Sequence, residues 1–139
     1  MAETIKQRRV RYKATGMCAN CGGHPPIDGV LHCRDCQRAT KSSATKLHAR
    51  FKQVIFTYYG GRCNCCAESE PAFLSVDHIN NDGNIQRKQD KTGGSNFYRN
   101  LAKSIIAGTS PNDLQLLCRN CNWGKHVNGG ICPHLSRYI

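Results

Sequence analysis

The sequence predicts a small α+β protein stapled by zinc, with an N-terminal zinc ribbon or knuckle module, a linking helix and a C-terminal module running strand, loop, strand, helix. Three observations carry this. Eight of the ten cysteines fall into four C-x2-C pairs. Leu47, Phe51, Val54, Ile55 and Tyr58 recur at helical spacing before Gly60-Gly61. Residues 73–79 alternate apolar and polar as a half-buried strand does, and a second apolar run covers Leu114 to Leu117. At 139 residues the chain holds one ordinary module or two small ones. Small modules bury little apolar surface and depend on disulfides or metals.

Taken in order, residues 1–14 form a basic arm with helical character, carrying Arg8, Arg9, Arg11 and Lys13. They are placed on phosphate, a solvated tail being the alternative. Cys18, Cys21, Cys33 and Cys36 follow, with a Pro25-Pro26 and Gly29 loop between the pairs, and form the first tetrahedral zinc site. Residues 1–42 are therefore one zinc-binding module. A connecting helix occupies residues 43–59 within a 43–62 segment, and its polar face presents Lys46 and Arg50 either to a duplex or to water. The last module, residues 63–139, opens with Cys63 and Cys66, which pair across more than fifty residues with Cys118 and Cys121 as the second zinc site. An insertion over residues 80–111 contains a helix at 97–106, and its Lys91 and Arg99 are further candidates for nucleic-acid contact, with Arg87, Lys88 and Lys103 beside them. Cys65, Cys132 and His134 are left over; packing of small buried thiols is the expected reading, and a third metal site the alternative.

Disulfides are a poor alternative to zinc. Residues 1–15 are polar and basic rather than an apolar export signal, so the expected compartment is cytoplasmic, where thiols stay reduced. No stretch approaches the roughly 18 apolar residues of a membrane span. The formal net charge is +11, and two four-thiolate zinc sites, each net −2, would leave +7. Residues 1–62 hold 12 Lys or Arg against 3 acids, whereas residues 63–139 hold 8 against 6. The first half is thus the expected phosphate-gripping half.

Chemistry concentrates in two stretches: Leu74-Ser-Val-Asp-His-Ile79, which delivers Asp77 and His78 to a strand end, and Leu116-Leu-Cys-Arg-Asn-Cys-Asn-Trp-Gly-Lys-His126, where Asn122 opens a short helix. Neighbouring strand residues point to opposite faces, so Asp77 and His78 have different jobs. From about Gly60 to His134 this order resembles the ββα-metal unit of the HNH, or His-Me finger, endonucleases. Gly93-Gly-Ser-Asn-Phe-Tyr-Arg99 and Gly129-Gly-Ile-Cys-Pro-His134 are similar to phage-type members, which implies a phage or mobile-element origin and the host cytoplasm. The resemblance implies a divalent metal, Mg2+ or Mn2+, on Asp77 and Asn122, and His78 as the general base. It also implies 5′-phosphate and 3′-hydroxyl products. The family's middle Asn falls here on Asp113, with Asn112 beside it; an ionised Asp only accepts hydrogen bonds, so the loop must be held differently or through Asn112. His126, four residues after Asn122, is either a third metal ligand or a phosphate-contacting side chain, and Lys125 beside it is a candidate for phosphate contact.

The expected function is metal-dependent hydrolysis of double-stranded DNA. Phosphodiester hydrolysis needs a nucleophile made from water and neutralisation of developing charge. Imidazole serves as the base near neutral pH and a hard divalent ion supplies the charge. The two zincs are scaffold, since four thiolates leave no open position. The rival is a non-catalytic zinc-ribbon DNA- or RNA-binding protein. A zinc deaminase lacks its H-x-E here, because Ile79 and Asn80 follow His78, and no βαβ pattern supports thioredoxin-like chemistry. Whether one copy nicks or two copies cut both strands is open.

Overall fold

The structure is a computed structural model describing residues 3–90 and 94–136, and the chain divides into two compact units, Met1–Leu47 and His48–Ile139. It is a small α+β protein with one two-stranded sheet and several cysteine clusters positioned to bind metal. No helix among the described residues is long and apolar enough to cross a membrane.

In the first unit, α1 (Ile5–Ala14) starts at Thr4, whose hydroxyl accepts from the Gln7 backbone N–H while the Gln7 side chain accepts from the Thr4 N–H. This reciprocal cap satisfies donors that the first helical turn leaves open. The helix buries no residue of its own. Its hold on the following loop is Tyr12, which lies over Gly22: a Cβ there would sit 2.4 Å from the ring, and the backbone has φ +65°. Only glycine satisfies both conditions. Between α1 and the next helix no strand forms; main-chain bonds from Cys18 to His24 and from Ala19 to Leu31 fold the loop instead. The ribbon expected here is a knuckle loop without sheet.

Among the described residues of this unit, the buried apolar side chains are Cys18, Ala19 and Cys33. An interior of two thiols and one methyl group gives little hydrophobic driving force, so metal held by the cysteine cluster would supply much of the folding free energy. Stripping metal from the whole chain with a strong chelator is therefore expected to collapse the NMR dispersion of residues 17–36. Resonances from Ile55, Leu101 and Leu116 in the second unit should survive to higher chelator concentration. Unchanged dispersion at residues 17–36 after complete metal removal would contradict this.

The helix α2 runs over Arg34–Tyr58 and starts nine residues before the expected position at 43. The missed portion is polar; Thr40 within it, and Thr45 just beyond it, return their hydroxyls to the carbonyls of Cys36 and Lys41 at 2.9 and 3.0 Å. Such back-bonding lets polar β-branched residues sit inside a helix without an apolar stripe to mark them.

The second unit contains β1 (Leu74–His78), α3 (Gly83–Asp90), α4 (Gly94–Ile106), β2 (Leu114–Cys118), α5 (Arg119–Val127) and α6 (Pro133–Ser136). The strands pair antiparallel, with Leu74 opposite Cys118, Asp77 opposite Gln115 and His78 opposite Leu114. Alternation puts Leu74, Val76, Leu114 and Leu116 on one face and Ser75, Asp77, Gln115 and Leu117 on the other. Leu74, Leu114 and Leu116 pack into the core with Ile55 and Phe56 of α2, Leu101 and Ala102 of α4, and four buried cysteines. Helix α5 contacts both strands. It begins three residues before Asn122 because Cys118 is its N-cap, the sulfur accepting from the Cys121 N–H at 3.4 Å. The knuckle thus supplies the cap that the sequence pattern leaves to an ordinary polar residue.

Candidate active site and metal centres

The register fixes the site. Asp77 and Ser75 lie on the sheet face toward α5, whose Asn122 donates from Nδ2 to Ser75 Oγ at 3.1 Å. That bond leaves the Asn122 carbonyl oxygen without a hydrogen bond among the described residues. Asp77 Oδ2 accepts from Gln115 Nε2 at 2.9 Å and from Lys125 Nζ at 2.6 Å, and its Oδ1 is likewise uncommitted. His78 is on the opposite face at the strand end. Its Nε2 meets Gln86 Oε1 at 2.5 Å, its ring lies 6.0 Å from that of Phe97, and Gly83 passes so close that a Cβ there would be 2.6 Å from Nδ1. With a carbonyl oxygen against Nε2, the imidazole proton belongs on Nε2 and the lone pair on Nδ1.

One cleft of about 720 Å³ wraps the end of β1 and is lined by Asp77, His78, Asn122 and His126 together with Arg87 and Arg119. The four side chains singled out from sequence therefore share one cavity. Two guanidiniums on its wall, and an Asp already paired with Lys125, make it a surface for anions. Trp123 stands at its edge, 67% exposed, with its ring 5.7 Å from that of His126. Gln86, Arg119 and Trp123 had no distinguishing sequence signal; only the fold brings them to the cleft.

Lys125 corrects an expectation. Expected to meet phosphate at the surface, it is 5% exposed and donates to Asp77 Oδ2 and to the carbonyls of His78 and Ile79 at 2.6, 2.6 and 3.0 Å. All three ammonium hydrogens are used, so it positions the strand end instead. The loop before β2 departs from expectation too. Neither Asn112 nor Asp113 makes a side-chain hydrogen bond among the described residues. The loop is held by the Ile79 N–H donating to the Asp113 carbonyl at 2.8 Å, by Tyr59 Oη donating to the Pro111 carbonyl at 2.9 Å, and by a bond between the hydroxyls of Tyr58 and Ser110. Burial pushes the Tyr59 hydroxyl above its ordinary pKa, keeping it a donor.

The remaining basic candidates among the described residues are exposed. On α1, Arg11 forms a two-pronged contact with Glu3 at 3.0 and 3.1 Å and Arg8 lies 3.7 Å from the same carboxylate. Hydrogen bonding to Arg11 holds Glu3 below the usual carboxylate range. Arg9 and Lys13 have no ion-pair partner among the described residues. Lys46, Arg50 and Arg99 are exposed on their helices, and Lys91 lies outside the described residues.

All ten cysteines are free thiols. Cys18, Cys21, Cys33 and Cys36 form one cluster and Cys63, Cys66, Cys118 and Cys121 another, both as the pairing predicts, with ligand atoms in each within 4.8 Å of one another. Backbone amides aim at the sulfurs. Burial works to raise the Cys18 thiol, but N–H groups of Cys21, Cys33 and Asn20 outweigh it and bring it down to about 5. Asn20 Nδ2, 3.4 Å away, pulls Cys36 down, yet burial and three neighbouring sulfurs carry it up to about 12. Burial works to raise Cys63 as well, but the backbone N–H groups of Cys118, Cys66 and Cys65 bring it down to about 7. Burial and four neighbouring thiols push Cys121 well up. Four such groups cannot ionise side by side in water alone; a dication resolves the conflict by neutralising them together. Structural zinc fits both clusters. Of the residual residues, Cys132 is buried in the core and Cys65 packs against it, as expected of small thiols, and together with His134 and Cys121 they also converge into a third group of ligand atoms within 4.8 Å.

No family model matches the chain, and neither the curated proteins nor the solved structures contain a significant match.

Proposed function

We propose that this protein is a metal-dependent HNH-type endonuclease acting on double-stranded DNA. Its second unit would be the ββα catalytic module and its first a zinc-knuckle module for DNA contact. The observation carrying this reading is the single cleft that holds Asp77, His78, Asn122 and His126 beside Arg87 and Arg119. Arg87 and Arg119 attract and orient the phosphodiester. His78 accepts a proton from water at Nδ1, while Gln86 keeps the other ring proton on Nε2 and Gly83 leaves the ring room. Lys125 and Gln115 fix the Asp77 carboxylate through Oδ2. The donors left over, Asp77 Oδ1, the Asn122 carbonyl oxygen and the His126 ring, suit a hard or borderline divalent ion such as Mg2+ or Mn2+. When bound there, such an ion supplies charge neutralisation at the scissile phosphate. Because Lys125 already balances the Asp77 charge, these residues would hold such an ion weakly without an anionic substrate.

The test is cleavage of supercoiled plasmid with Mg2+, Mn2+ or EDTA, using protein of measured zinc content. Cutting that needs the added divalent ion supports the reading, and nicked against linear product separates one-strand from two-strand cleavage. Salt-sensitive binding without cutting under either metal supports a second reading, a non-catalytic DNA- or RNA-binding protein, which the Lys125–Asp77 ion pair favours because it gives Asp77 a purely structural task. In either case α1 is the expected phosphate grip. The combined Arg9→Ala and Lys13→Ala change should reduce the slope of log affinity against log salt by roughly 2, measured by fluorescence anisotropy. An unchanged slope removes α1 from the interface.

A further inference from the structure

Among the described residues, the second unit has seven metal-ligating side chains in two groups of four, because Cys121 belongs to both. Two independent tetrahedral sites would need eight ligands. We infer that the second unit holds a binuclear zinc cluster in which the Cys121 thiolate bridges one ion bound by Cys63, Cys66 and Cys118 and another bound by Cys65, Cys132 and His134.

The spacing fits. Zinc–sulfur bonds of about 2.3 Å place tetrahedral sulfurs about 3.8 Å apart, and a ring nitrogen somewhat closer. Cys66 and Cys118 sulfurs are 3.6 Å apart in the first group. In the second, His134 Nδ1 lies 3.4 Å from the Cys121 sulfur, 3.8 Å from that of Cys132 and 4.0 Å from that of Cys65. Six thiolates and one neutral imidazole against two dications leave a net −2, one negative charge fewer than separate four-thiolate and three-thiolate sites would carry. Sharing a sulfur therefore lowers the repulsion between adjacent centres.

The chain around the cluster is shaped to bring these ligands in. Adjacent residues Cys65 and Cys66 serve different ions. Gly129 and Gly130 take φ +64° and +100° to reverse the chain after α5, with Gly130 N–H on the Lys125 carbonyl at 2.8 Å. Gly124 lets the returning tail lie against α5: a Cβ there would be 2.9 Å from Pro133 Cδ and 3.9 Å from the Cys132 sulfur. Cys132 is buried and His134 opens toward solvent with Nδ1 on the sulfurs. The second ion thus pins the tail onto the helix that carries Asn122, Lys125 and His126. This inference does not rest on the nuclease reading.

The test substitutes Co2+ for zinc in the whole chain and compares bound metal with the electron-paramagnetic signal. A bridging thiolate couples its two Co2+ ions antiferromagnetically, so at low temperature three bound ions should give the signal of one, from the Cys18 cluster. His134→Ala removes an exposed ligand and should drop bound Co2+ from three to two while the signal rises to that of two. Three bound ions with three full signals would overturn the bridge. Two bound ions in the unaltered chain, unchanged by His134→Ala, would overturn the second site.

Discussion

His78→Ala should leave a folded protein with unchanged zinc content and DNA affinity that has lost plasmid cleavage by roughly 10²–10⁴-fold, the range of a positioned general base. The fold should tolerate the change because His78 ends its strand. Its main-chain partners, the Lys125 ammonium on its carbonyl and the Asn81 N–H, are unaffected by side-chain truncation. What is lost is the strand-end imidazole, with its Nδ1 lone pair. Gln86→Ala offers a graded companion: it removes the acceptor that keeps the proton on Nε2, so part of the population takes the unproductive tautomer and the loss should be smaller. Cleavage by His78→Ala at the unaltered rate, on protein freed of contaminating nuclease, would remove His78 as the base. An equal loss in an exposed control away from the cleft, such as Ser69→Ala, would mean that the loss is not specific to the imidazole.

What was legible in the sequence follows from which signals are local. The strands expected at 73–79 and 114–117 appear as Leu74–His78 and Leu114–Cys118, because alternating residue types in the first and a short apolar run in the second are local signals of a strand. Both four-cysteine clusters were legible from C-x2-C spacing, which has few geometric solutions. The early start of α2 was hidden, since its first half is polar and is held by hydroxyl back-bonds rather than by an apolar face. The sharing of Cys121 was hidden because Cys65 and His134 lie 69 residues apart in sequence and meet only when Gly124 and the Gly129-Gly130 reversal bring the tail back. Residue type also misled at Lys125. A lysine on a short helix usually reaches water, and only the strand register, with Asp77 facing α5, shows it to be buried and paired.

Lys125→Met should destabilise the second unit by about 3–5 kcal/mol, the range for removing one partner of a buried ion pair. The Asp77 side chain is 10% exposed and would keep Gln115 as its remaining donor on Oδ2. The carbonyls of His78 and Ile79 would lose the ammonium hydrogens they now accept. An uncompensated carboxylate and under-satisfied carbonyls at the end of β1 are each costly, and for a unit of this size the melting transition should fall by roughly 15 °C. Asp77→Asn alone should also destabilise, because it leaves the buried ammonium without its counter-charge. The combined Asp77→Asn and Lys125→Met change should recover part of the loss, and a double-mutant cycle built from denaturant midpoints would show coupling of about 1–3 kcal/mol. Additive losses, or a Lys125→Met protein that melts with the unaltered chain, would mean that Lys125 reaches solvent and leaves Asp77 free. In that case the Asp77 carboxylate would carry its full charge into the cleft and bind a divalent ion far more tightly than the paired arrangement allows, so calorimetric titration with Mn2+ on the same variants distinguishes a carboxylate held by lysine from one free for metal.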